Sequence, residues 1–173
     1  MEGVVTSNTS NQVKFCCNLL QWRDQRLDQK QKKSRMSDDR NFDDLAERFQ
    51  RKVYGSLKGD IRLAVLWRDL EEQVPQIHGD KPLRVLDVGA GLGQLAIRLA
   101  KLGHQVTVND ISSEMLSIAR ESAEEAGVAG SMVWHHCPLQ ALSSCVEGAY
   151  DVVLCHAVVE WLVDPEPLMV QLK

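Results

Sequence analysis

The chain has 173 residues, 44% hydrophobic and 25% charged, with a net charge of −4. That is the balance of one globular domain with a core of its own. No run of 18 apolar residues occurs, so no membrane span is expected. Five cysteines, odd in number and without a repeated spacing, argue against a disulfide framework and fit small thiols in a reducing cytoplasm. The charge is uneven: residues 1–35 hold 7 Lys/Arg against 3 Asp/Glu, net +4, and the rest hold 13 against 21, net −8. An acidic domain lacks the electrostatic footprint of a nucleic-acid binder.

Residues 1–35 are polar, then basic from Trp22 to Arg35, with no hydrophobic period. We expect a disordered tail, or a non-native extension upstream of a start at Met36. The domain proper is then 36–173. A helical pattern begins at Asp43, with Leu45, Ala46, Phe49 and Val53 in step, and Tyr54-Gly55-Ser56 breaks it. A second helix, roughly 59–73, is expected to turn Ile61, Ala64, Val65 and Leu70 to one side, with Trp67 in the core. Arg62, near its start, reads by itself as a surface residue. Pro75 and the Gly79-Asp80 turn close this region.

Alternating strands and helices follow. The strand Arg84–Val88 leads through glycines to a helix from Gln94 to Leu102, closed by Gly103. The strand Gln105–Asn109 ends in Asp110. Ser112 or Ser113 caps a helix through Ala126, with Met115, Leu116, Ala119 and Ala123 as its apolar stripe. The strand 132–135 precedes a short helix at 139–142. The strand 150–155 is apolar on both faces, as a central parallel strand is. The pattern predicts an α/β fold, a Rossmann-like parallel sheet with helices on both faces. A last helix opens at Asp164-Pro165 and still runs at Lys173, so the domain is expected to be C-terminally incomplete, truncated after its fourth strand.

The stretch from Val85 to Gly93 carries the chemistry. A short apolar run meets Asp87 and then Gly89, Gly91 and Gly93 on alternate positions, just before a helix. Glycines there let the backbone turn sharply and approach a ligand, and the helix start favours a negative group. A dinucleotide fingerprint, G-x-G-x-x-G, would place its third glycine at position 94, which is Gln. That spacing disfavours a nicotinamide-dependent oxidoreductase. The D-x-G-x-G-x-G element resembles the first motif of the class I S-adenosylmethionine-dependent methyltransferases. On that resemblance the helix start receives the methionyl carboxylate, and Asp87 holds the ammonium. Asp110 accepts both ribose hydroxyls, with N-capping as its structural alternative. Leu139 and Gln140 lie where the adenine sits. His156 follows the last strand at the carboxyl edge, where ligands bind in such sheets. The pair His135-His136 has no partner at metal-ligand spacing, and no metal site is expected.

A narrower resemblance rests on Arg40-Asn-Phe-Asp-Asp44, Tyr54-Gly55, Lys58-Gly59 with Arg62, Leu66-Trp67, Gly103-His-Gln-Val106 and His156-Ala-Val-Val-Glu-Trp161 with Asp164-Pro165. Together these are similar to the bacterial tRNA 5-carboxymethoxyuridine methyltransferase family, over about the first half of such an enzyme. The resemblance implies a cytoplasmic enzyme of tRNA modification that turns a wobble-uridine carboxylate into its methyl ester. It carries cofactor contacts to Arg62, Gly89, Ala90, Asp110 and His156, Ala90 standing where glycine is common. It leaves no catalytic dyad and says nothing of the oligomeric state. Two other readings stay open: a small-molecule carboxyl or O-methyltransferase of the same fold, which the acidic charge suits, and a non-catalytic cofactor-binding domain.

Overall fold

The computed structural model describes residues 14–16, 39, 41, 43, 46 and 56–171. Five parallel strands form one sheet: β1 (Lys14–Cys16), β2 (Arg84–Val88), β3 (Gln105–Asp110), β4 (Met132–His136) and β5 (Val152–Cys155), in the spatial order β1-β5-β2-β3-β4. The helices are α1 (Leu57–Gln73), α2 (Gln94–Lys101), α3 (Ser113–Glu125), the single turn α4 (Leu142–Cys145) and α5 (Glu166–Gln171). The four expected strands all form, and β3 extends one residue further to include Asp110. The fifth, β1, falls in the stretch expected to be a disordered tail or non-native extension. Its three residues run along the outer edge of β5, Lys14 opposite Val152 and Cys16 opposite Leu154, where the backbone groups of β5 need partners. The rest of residues 1–35 lies outside the described residues, as does most of the helix expected from Asp43.

The chain leaves β2 toward β3 and β4, then returns to the other side of β2 with β5. The sheet therefore reverses direction between β2 and β5, and ligands of open α/β sheets bind in the crevice at such a point. The period-two alternation of strand side chains divides the core. Val85, Val106, Val108, Val152 and Leu154 pack on one face with Trp67, Leu70, Ala96 and Leu99 of the helices. Leu86, Val88, Val153 and Cys155 pack on the other with Leu139, Leu142, Leu162 and Leu168. Two caps fix helix starts as the residue types predict. The Ser56 side chain accepts from Gly59 N–H, and that of Ser112 from Met115 N–H.

One expectation fails. The stripe Ile61, Ala64, Val65 and Leu70 does not form the inner face of α1: Ile61 is 57% and Val65 41% exposed, while Leu70 is buried. The buried side runs through Trp67 and Leu70, with Leu63 and Leu66 half-buried beside it. Either row satisfies a helical period, and the position of Trp67 selects between them. Its ring is buried as expected, with the Arg98 guanidinium of α2 stacked 3.8 Å from its centroid.

A buried histidine sets the approach to the sheet. His104 lies at 1% exposure, its Nδ1 accepting from Leu83 N–H at 3.2 Å and its Nε2 donating to the Ile77 carbonyl at 2.9 Å. Both ring nitrogens are satisfied in one neutral tautomer. The turn before β2 is thereby tied to the start of β3.

Candidate functional site

Parallel register puts the key residues at one level. Val88 pairs with Asn109 on one side and with Cys155 on the other. The next residues along the three strands, Gly89, Asp110 and His156, therefore emerge side by side at the carboxyl edge. Arg62 reaches this edge from α1, and Leu139 from the turn after β4.

The glycine turn is held against β3. Ala90 N–H donates to the Asn109 carbonyl at 3.0 Å, and Gly91 N–H to Asp110 Oδ2 at 2.8 Å. Gly89 has φ +63°, and a methyl group there would stand 2.5 Å from Val158 Cγ2. Gly89→Ala is therefore expected to combine a left-handed alanine with a core clash, costing about 2–4 kcal/mol. Gly103→Ala also has a positive φ but nothing within 4 Å of its new methyl, and is expected to cost about 1 kcal/mol. Denaturant midpoints of the two variants check the difference. Gly93 plays another part. It is the left-handed N-cap of α2, and a Cβ there would lie 3.2 Å from Ala119 Cβ. It brings α2 and α3 close together and does not line the cleft.

Two acids face the cleft. Asp87 and Asp110 are 5% and 8% exposed. Burial pushes the Asp87 carboxyl up to about 7, and the neighbouring Asp110 adds to the rise. Burial raises Asp110 as well, against hydrogen bonds from the N–H groups of Ser112, Gly91 and Ile111 that favour its charged form. Both Asp110 oxygens are oriented by backbone amides, Oδ1 by Ser112 N–H at 2.9 Å and Oδ2 by Gly91 N–H. A carboxylate oxygen takes about two hydrogen bonds, so each keeps capacity for a ligand hydroxyl. N-capping of α3 falls to Ser112 instead.

His156 is half-buried, and burial, with the Arg62 guanidinium as second cause, pushes its imidazole down to about 4. It is neutral near pH 7 and offers hydrogen bonds without charge. Ala157, next to it, takes φ 55°, a conformation uncommon for a residue with a side chain. It turns the chain away from the sheet at the cleft wall.

The cleft encloses about 1330 Å³ between protein atoms, part of it open to solvent. Of the residues the sequence singled out, Arg62, Asp87, Gly89, Ala90, Gly91, Asp110, Leu139 and His156 all line it. Gln140 does not; it is exposed and its amide donates to Asp39. Among the lining residues that sequence reasoning missed are Asp39, Leu66, Ile111, Met115 and Trp161. Ile111 directly follows Asp110 and was within reach of the motif argument. Asp39 is not, because only folding brings it to the cleft.

The groups at the cleft differ in chemistry. The buried Asp87 carboxyl lies near the end of β2, the Asp110 carboxylate at the end of β3 is a pair of oriented acceptors, and Leu139, Ile111 and Leu162 give the wall an apolar part. The fold and this cleft define an α/β protein built to hold a nucleoside with a charged tail. A family model described as "Methyltransferase domain" matches residues 85–171, and the chain belongs to that family.

The chain is 46% identical over 131 residues to the tRNA 5-carboxymethoxyuridine methyltransferase of Escherichia coli (strain K12), covering 76% of this chain and 50% of that protein. It is 34% identical over 122 residues to the ubiquinone biosynthesis O-methyltransferase of Sodalis glossinidius, covering 62% and 48%. The chain thus spans about half the length of the curated relatives it matches. Among solved structures, the magnesium protoporphyrin IX methyltransferase of Synechocystis PCC 6803 with bound SAH superposes with a TM-score of 0.58. Its sequence identity is 26%, and the match covers 76% of this chain and 63% of that one. The same enzyme with bound SAM gives the same score.

Proposed function

We propose that this protein acts as an S-adenosylmethionine-dependent methyltransferase in the cytoplasm. Its acceptor would be the carboxylate of 5-carboxymethoxyuridine at the tRNA wobble position, converted to the methyl ester. The observation that carries this reading is the 46% identity to a tRNA 5-carboxymethoxyuridine methyltransferase over 131 residues.

Asp87 would hold the ammonium of the cofactor and Asp110 its ribose hydroxyls. Leu139 would lie against the adenine, and Arg62 would face the carboxylate. The bound cofactor supplies an electrophilic methyl group on a sulfonium. The protein's part is alignment and exclusion of water. An acceptor carboxylate is ionised at neutral pH and needs no base, which agrees with a His156 that stays neutral there. Gln140, whose amide is engaged by Asp39, would act on the adenine through the position of Leu139.

A second reading is a small-molecule carboxyl or O-methyltransferase, favoured by the net charge of −8 over residues 36–173 and by the 34% identity to a ubiquinone biosynthesis O-methyltransferase. Transfer of a labelled methyl group separates the two. The acceptors are tRNA carrying the free carboxymethoxy group, tRNA lacking it, and a panel of small acids and phenols. We expect base-labile label on the first alone. Label on small acceptors with none on tRNA would replace the first reading by the second.

A further inference from the structure

Asp39 is given no role of its own in the reading above, yet it reaches the cleft. Asp39 is half-buried in the cleft wall. Its Oδ2 accepts from Gln140 Nε2 at 2.5 Å, and its Oδ1 accepts from Val163 N–H at 2.8 Å. These partners belong to separate connections, Gln140 in the turn after β4 and Val163 in the loop after β5. The residue before each one, Leu139 and Leu162, is buried, lines the cleft and belongs to a shared apolar cluster. One carboxylate from a distant part of the chain thus spans both sides of the apolar slot. The same stretch is anchored independently at the other end of the cleft. Asp43 Oδ1 accepts from Ser112 Oγ at 2.6 Å and from Glu114 N–H at 3.2 Å, and Ala46 packs with Leu92 and Met115.

We propose that Asp39 is a positioning residue of the cofactor site: by tying Gln140 to the Val163 amide it sets the gap between Leu139 and Leu162 that the adenine enters. The inference rests on the reading of this cleft as an S-adenosylmethionine site. Asp39 does not itself need to touch the cofactor. It joins the two connections that carry these apolar side chains, adding a polar tie to their packing in one cluster.

The test is calorimetric titration of the purified protein with S-adenosylhomocysteine and with 5′-methylthioadenosine, which shares the adenosine end but lacks the amino acid. Asp39→Ala is expected to raise both dissociation constants by the same factor, about 5- to 10-fold, less than the full size of a charge-assisted hydrogen bond because the effect reaches the ligand indirectly. Asp39→Asn keeps the acceptor for Val163 N–H but sets one amide against another at position 140, and is expected to fall between. Adding Gln140→Glu to Asp39→Asn reverses donor and acceptor, restores the bond, and is expected to bring both constants within about 2-fold of the unaltered protein. Thermal melting of the ligand-free variants runs alongside. An Asp39→Ala variant that melts earlier yet binds both ligands with unaltered affinity overturns the proposal and leaves Asp39 a purely structural residue. So does loss of affinity for S-adenosylhomocysteine alone, or a double variant that recovers nothing. Failure of the unaltered protein to bind either ligand overturns the cofactor reading itself, and the positioning role with it.

Discussion

Replacing Asp110 with alanine is expected to raise the dissociation constant for S-adenosylmethionine at least about 100-fold, the combined size of two hydrogen bonds to a charged acceptor. The carboxylate sits at the carboxyl end of β3, almost fully buried, with Gly91 N–H on one oxygen and Ser112 N–H on the other. Those amides aim the remaining acceptor capacity at the cleft, so two ribose hydroxyls meet a fixed acceptor pair. The substitution also removes the acceptor of two backbone N–H groups, and about 1–3 kcal/mol of stability is expected to go with the buried one, Ser112 N–H. A 2′-deoxy analogue of S-adenosylhomocysteine separates the two effects. The unaltered protein is expected to bind it more weakly than the parent ligand, whereas Asp110→Ala binds both alike. Equal affinity of the unaltered protein for both ligands removes the ribose role and leaves Asp110 as the brace of the glycine turn.

Affinity for the cationic cofactor is expected to depend on pH through Asp87. In the ligand-free protein, burial and the neighbouring Asp110 place its carboxyl at about 7, so below that pH it is largely protonated. A cation at Asp87 requires the ionised form. The dissociation constant for S-adenosylmethionine is therefore expected to level off above about pH 7. Below it, the constant rises by up to about tenfold per pH unit, one proton being released on binding. Titrations at pH 6 in buffers of different ionisation enthalpy measure that proton directly, and at pH 8 it should be gone. Asp87→Asn is expected to flatten the dependence. A profile as steep in that variant as in the unaltered protein would assign the proton elsewhere.

The same shift bears on stability with the opposite sense. The folded-state value lies above the ordinary 3.8, so the contribution of this group is intact below that value and is lost as pH rises through about 7. The ligand-free fold loses stability from Asp87 over that range, and the cofactor's positive charge offsets the loss.

Much of the site was legible in the sequence because it is local. A strand, a left-handed glycine turn and a helix start are short-range features, and Gly89, Gly91 and Asp87 follow from them directly. Asp110 and His156 were reachable for a related reason: Asp110 ends an alternating strand and His156 follows a continuously apolar one, and parallel strands end at the same edge. The inner face of α1 was misread because its sequence carries apolar residues on two rows, Ile61–Val65 and Leu63–Leu66–Trp67–Leu70, and periodicity cannot rank them. Gly93 was read as a cofactor contact, yet its side of the turn faces Ala119 of α3. Gln140 was placed at the adenine by its position in the chain, and the side chain turns instead to Asp39.

By itself, then, the sequence determined the parallel α/β class, the glycine turn after β2 and the acids at the ends of β2 and β3. These depend on backbone conformation and side-chain period, which act over a few residues. Only the tertiary structure decided which row of α1 is buried, that Lys14–Cys16 takes the free edge of β5, and that Asp39 bridges the turn at Gln140 to the loop at Val163. It also decided the charge state of the site, because the rise of Asp87 and the fall of His156 come from burial and from neighbours far along the chain. Such effects depend on distances that no local pattern encodes.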